Sequence, residues 1–130
     1  MEAVLTGVWA RYNAGNTFKT ACTGGLHLES APQGTSLPYA TYQLITGRPE
    51  YIFVGNFEIA SIQFDIYAQT NLIRQDLYTK LIALFDDCRP TVTGYTSIIM
   101  ERVLTQMVRE GDQNDVYRAI VEYSLRVEKS

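Results

Sequence analysis

His27 is the only histidine in the chain, and it stands five positions after Cys22, one of two cysteines. A thiol beside an imidazole is the kit of a nucleophilic enzyme, but this spacing in a Thr/Gly-rich stretch matches no known pairing geometry, and nothing obvious orients the ring. A lone histidine also excludes HExxH zinc sites and any site built from two histidines. His27 therefore reads as a local structural or surface residue. Asp112, Asn114 and Asp115 resemble a fragment of a calcium loop, yet that pattern goes on to require a glycine and a bidentate glutamate, which Tyr117 and Tyr123 do not supply. A charged, solvated hairpin tip accounts for them better. Asp86 and Asp87 could suggest paired carboxylates for acid/base work, but adjacent helical residues point about 100° apart, and solvation explains them. The phosphate cradles GxxxxGK(S/T) and GxGxxG are both missing, and Gly24-Gly25 reads as a turn. No catalytic residue, metal site or cofactor is expected.

The elements that would position any site can be read from periodicity. From Glu2 to Asn13, Val4, Leu5, Val8, Trp9 and Tyr12 recur at spacings of three and four, which predicts a helix that Gly15 stops. Asn16 to Ser36 is rich in Thr, Gly and Ser and reads as mostly loop, with a short strand conceivable at Leu26 to Glu29. Pro32, Gly34 and Pro38 punctuate the way into a strand over Tyr39 to Thr46, and Gly47, Arg48 and Pro49 are expected to break it. Gly47 to Phe57 then reads as a loop too long for a tight turn, with an apolar content that suggests packing on a neighbour.

In a second strand, Glu58 to Gln69, the residues Ile62, Phe64 and Ile66 alternate with Ser61, Gln63, Asp65 and Tyr67. Thr70 or Asn71 can cap a helix running to about Asp87, with Ile73, Leu77, Leu81, Leu84 and Cys88 on one stripe. Pro90 and Gly94 end it. A closing hairpin has Ile98, Met100 and Leu104 in its first arm and Tyr117, Ala119, Val121, Tyr123, Leu125 and Val127 in strict alternation in its second. Between the arms lies the polar tip REGDQND, Arg109 to Asp115. The expected fold is α+β: an antiparallel sheet of about four long strands in two hairpins, with two helices packed on one side, in the order α-β-β-α-β-β. Strands this long suggest arms extending past the body, whose edges need covering, charging or pairing.

The 130 residues fit one domain, and 46% hydrophobic with 19% charged residues is an ordinary globular composition. No apolar run reaches the roughly 18 residues of a membrane span, and MEAVLTGVWARY does not read as a secretory signal. Without an export signal, Cys22 and Cys88 read as reduced, buried or semi-buried thiols. The net charge of −3 and the scattering of the eleven Lys and Arg residues argue against a phosphate-tracking surface. The nine tyrosines suit interfaces and strands equally.

Taken in order, the segment APQGTSLPYATYQLITGRPEY, the strand ASIQFDIYAQT leading into a helix near Asn71, and the hairpin ending YRAIVEYSLRVE resemble the tail-completion or tail-terminator proteins of long-tailed bacteriophages. The resemblance spans about Leu5 to Val127 and departs from the common pattern at Asn16 to Gly25. It implies an α+β subunit that assembles as a homo-oligomer, a hexameric ring in the virion that can be monomeric in solution. Such a ring caps the completed tail tube and offers a docking surface to the head connector or stopper. The implied location is the head-tail interface of the virion, and the host cytoplasm during assembly. DNA passes through the lumen without specific binding, and no membrane is involved. On this reading Tyr51, Ile52, Phe53 and Phe57 supply apolar contact, while Arg109, Glu110, Asp112 and Asp115 set register. A head-tail adaptor or tail-tube subunit is the alternative within structural proteins, and a small enzyme or ligand-binding domain the alternative outside them.

Overall fold

The computed structural model describes residues 2–51, 56–110 and 116–129. Its elements are α1 (Glu2–Asn13), α2 (Thr17–Ala21), β1 (Leu26–Leu28), β2 (Tyr39–Tyr51), β3 (Asn56–Ala68), α3 (Asn71–Phe85), β4 (Tyr95–Glu110) and β5 (Val116–Lys129). The five strands form one sheet in the order β1-β2-β3-β5-β4. β1 runs parallel to β2, and the other neighbours are antiparallel. The α+β class holds. The expected sheet of four strands with two helices is corrected to a mixed sheet of five with three helices among the described residues.

Strict alternation in β5 has the predicted effect: Ala119, Val121, Tyr123, Leu125 and Val127 are all fully buried, as are Ile62, Phe64 and Ile66 of β3. By register these residues share one face with Ala40 and Tyr42 of β2 and Met100 of β4. The helices close this face. Phe64 lies at its centre, its ring 4.7 Å from Phe85 of α3, 5.8 Å from Tyr123 and 6.4 Å from Tyr42. Truncating a ring so enclosed removes both its transfer free energy and the contacts around the hole, about 3–5 kcal/mol.

The helices begin and end for local reasons. Thr70 is the cap of α3, its hydroxyl oxygen accepting from the Ile73 N–H at 3.2 Å. α3 stops at Phe85, slightly before the expected Asp87, and buries Leu77, Leu81 and Phe85. α1 has the predicted bounds and buries Val4, Val8 and Tyr12, while Trp9, expected on the same stripe, is 42% exposed. α1 approaches the chain after α3 so closely that a Cβ on Gly7 would lie 2.4 Å from the Thr91 carbonyl oxygen.

Four departures from the sequence reading have physical causes. The segment after α1 is not mostly loop: Asn16 caps α2 by accepting from the Lys19 N–H at 2.8 Å, and Phe18 and Cys22 drop into the core. Gly47, Arg48 and Pro49 do not end β2, which pairs with β3 as far as Tyr51↔Asn56. β1 covers β2 only at residues 40–42, so Pro49 falls where β2 has a partner on one side alone, and an edge strand tolerates a missing N–H. Leu104, expected inward, is 46% exposed because a bulge between Arg102 and Leu104 resets the alternation of β4. The arms also do not stand free. β3 and β5 pair from Phe57↔Glu128 to Ala68↔Tyr117, so both hairpins belong to one continuous sheet.

Candidate assembly surfaces

The residues sought first for chemistry serve structure. With its proton on Nε2, His27 donates to the Gly24 carbonyl oxygen at 2.8 Å. Cys22 Sγ faces the Gly25 and Pro38 carbonyl oxygens at 3.7 and 3.9 Å, and burial pushes this thiol up to about 12. A thiol held protonated is a poor nucleophile, and Cys22 and His27 each contact backbone carbonyl oxygens instead. Cys88 is likewise free and buried, its thiol pushed up first by burial. Among the described residues no three His, Cys, Asp or Glu side chains gather as metal ligands, and no helix is long and apolar enough to cross a membrane.

Asp86 is more than a solvated helix end. Its Oδ1 accepts from the Tyr123 hydroxyl at 2.6 Å and its Oδ2 lies 3.4 Å from Arg102, a half-exposed pair. Arg102 also donates to the Tyr78 hydroxyl, which in turn lies 3.0 Å from Thr105 Oγ1. This chain of contacts ties α3 to β4 and β5.

The residues proposed for contact fall into two groups, and the register separates them. Tyr51 is the last residue of β2, paired with Asn56, and Phe57 is a half-buried residue of β3, paired with Glu50 and Glu128. The expected apolar loop is thus largely hairpin; Ile52 and Phe53 lie outside the described residues. Arg109 and Glu110 end β4, paired with Tyr117 and Val116, while Asp112 and Asp115 lie outside the described residues. The pair Tyr51↔Asn56 lies at the end of the sheet where β5 finishes, and the pair Glu110↔Val116 at the end where β5 starts. Rows Phe57↔Glu128 and Ala68↔Tyr117 separate them by eleven steps, roughly 35 Å at the usual rise per residue.

Arginines and tyrosines concentrate at the β4-β5 end. On the helix side Arg74 of α3 and Arg109 of β4 lie over the Tyr117 ring at 5.2 and 5.6 Å. Arg74 Nη1 donates to the Val108 and Arg118 carbonyl oxygens at 3.1 and 3.4 Å, so one guanidinium holds both arms. On the opposite face Arg118 lies over Tyr67 at 5.4 Å and pairs with Asp65 at 3.1 Å, and Tyr67 stacks on Tyr39 at 4.9 Å. Asp65 is only 5% exposed although its alternation points it away from the helices; Gln63 and Arg118 satisfy it. Periodicity predicts an exposed carboxylate there and carries no sign of this cluster.

The fold is similar to that of a chain in a solved structure described as "Virion of native gene transfer agent (GTA) particle". The TM-score is 0.72, over 93% of this chain and 91% of that chain, at 10% sequence identity. At that identity the likeness is one of fold. No protein-family model matches the sequence, and no curated protein matches it.

Proposed function

We propose that this chain is a structural virion subunit that assembles as a ring, caps a completed phage-like tail tube, and presents a docking surface to the head connector. The observation that carries the reading is fold likeness over nearly the whole of both chains to a constituent of a virion particle. The 130 residues act as one tail-terminator-like domain. Two features of the sheet support this role. The last described pairs of its two hairpins, Tyr51↔Asn56 and Glu110↔Val116, lie at opposite ends of the sheet, as a two-sided collar requires, and Asp65 and Asp86 are bonded within the chain, which suits a part that works by shape.

The mechanism is geometric. One end of the ring, carrying Tyr51, Ile52, Phe53 and Phe57, seats on its target through apolar contact. The other, carrying Arg109, Glu110, Asp112 and Asp115, sets register by charge. Seating on the last tube ring blocks further subunit addition, and the opposite end receives the head. No bond is made or broken. DNA crosses the lumen without specific contact, since an acidic protein repels it.

Negative-stain microscopy of the purified protein across a concentration series tests this against the tube-subunit alternative. Monomers or closed rings that do not stack are expected, and long tubes would overturn it. Phe53→Asp probes the apolar end: it should abolish docking to isolated tails while the monomer keeps its circular dichroism. Unchanged docking would remove that end from the contact.

A further inference from the structure

Large apolar side chains exposed among the described residues are Trp9, Leu28, Ile45, Leu72, Val103 and Leu104. Four of these fall as two pairs on opposite edges of the sheet. Leu28, 48% exposed, ends β1; Ile45, 45% exposed, is the extra residue of the β2 bulge between Leu44 and Thr46. On the far edge Val103, 57% exposed, is the extra residue of the β4 bulge, and Leu104 follows it at 46%.

The register gives the height of each pair along the strands. One row crosses the sheet as Leu44, Ile62, Tyr123 and Arg102. Ile45 follows Leu44 on one edge and Val103 follows Arg102 on the other, so the two bulges sit on either side of this row, about one residue step or roughly 3 Å apart. Leu104 lies in the row of Glu122, Gln63 and Gln43; Leu28 lies one row further on, with Tyr42 and Phe64. The two apolar pairs therefore overlap in height.

Neither edge is suited to join another by strand pairing. Bulges interrupt both ladders, and Pro49 lacks a donor in β2, the devices by which edges are kept from adding strands. What both edges offer is side chains. Opposite charges flank the pairs, exposed Glu29 after Leu28 and Arg102, paired within the chain to Asp86, before Val103. Two different patches on opposite edges make a head-to-tail contact. When their heights match and the strands run along the symmetry axis, repeating that contact closes a ring, whereas a height offset would wind a filament.

We infer that copies of this chain join head to tail, the Leu28/Ile45 edge of one against the Val103/Leu104 edge of the next. This rests on the ring reading above and names its contact. Four side chains cover only part of the roughly 800 Å² per partner of a standard interface. The contact is accordingly weak for a single pair and is reinforced by closure.

Cross-linking tests it. Ile45→Cys and Val103→Cys are combined in one chain and treated with a short bifunctional maleimide at the highest soluble concentration, the native thiols being buried at 2% and 6% exposure. The expected result is a ladder of species ending at a fixed ring size, lost when Leu104→Asp is added, with neither single variant giving more than background. A strong dimer from Val103→Cys alone would mean like edges meet and would overturn the proposal. If native mass spectrometry shows a ring but the double variant yields no ladder, the edge assignment fails and the ring reading stands. If neither ring nor ladder forms, the edge assignment fails, while the ring reading, which allows a monomer in solution, falls only if long tubes form. Circular dichroism of each variant excludes misfolding as the cause.

Discussion

Tyr123 donates its hydroxyl to Asp86 Oδ1 at 2.6 Å, joining the centre of β5 to the end of α3 inside an otherwise apolar ring cluster. The phenol is pushed up first by burial and then by this bond, so it stays protonated and remains a donor. Tyr123→Phe keeps the ring packing against Phe64 and Phe85 but removes the donor. A hydrogen bond to a charged acceptor is worth roughly 1.5–3 kcal/mol, and Asp86, half-exposed and still beside Arg102, recovers part of that from water. A loss of about 1–2 kcal/mol in urea unfolding is expected; no loss would mean that the bond only replaces one to solvent.

Gly7→Ala sets two effects against each other. Helix propensity favours alanine by about 1 kcal/mol, whereas the added Cβ would meet the Thr91 carbonyl oxygen at 2.4 Å. The obstacle is backbone, which cannot rotate aside as a side chain can, and overpacking of this kind costs about 1–3 kcal/mol. A lower thermal midpoint is predicted; a higher one would show that α1 shifts freely over the 90–92 segment.

Arg74 should hold the base of the β4-β5 hairpin. Arg74→Ala removes its bonds to the Val108 and Arg118 carbonyl oxygens and its stacking on Tyr117. Faster amide hydrogen exchange near Val108 and Tyr117 is expected, with little change in β2. Arg74→Lys should not restore protection, because a point charge cannot reach both carbonyls in one plane and stack as well. Full restoration by lysine would reduce the role of Arg74 to charge.

Stability should fall on the alkaline side. Burial raises Cys22 from its ordinary 9.0 to about 12, and Tyr12, Tyr42, Cys88 and Tyr123 are raised as well. The folded chain therefore holds protons that the unfolded chain releases. For Cys22 the stabilising contribution is fully present below pH 9.0 and is lost as pH rises toward about 12. The slope of unfolding free energy against pH should be negative in that window, by up to about 1.4 kcal/mol per pH unit for one such group. Cys22→Ala should flatten it, and an unchanged slope would assign the dependence to Cys88 and the tyrosines.

How far the sequence foretold the fold depended on whether a signal was local. The alternation of β5, the Thr70 cap and the bounds of α1 are each carried by a few neighbouring residues, and each was legible. Pro49 misled because its tolerance depends on β2 being an edge there, a fact of strand order that no local pattern holds. Leu104 misled because one extra residue, Val103, reverses every inward position beyond it. The apolar pair at Val103 and Leu104 breaks alternation and could have marked the bulge. Asp86 looked solvated because its partner Tyr123 lies far along the chain, and the Asp65–Arg118 pair left no local sign for the same reason. For the candidate contacts, Tyr51 and Arg109 were found as separate segments, but their placement at opposite ends of the sheet follows only from the pairing of β3 with β5.

The most direct test is electron microscopy of particles produced when synthesis of this chain alone is prevented. A ring that caps the tube and receives the head predicts full heads separated from tails, with tails of irregular length, and complementation by the intact chain restores joined particles. Complete particles with tails of normal length in its absence would contradict the account.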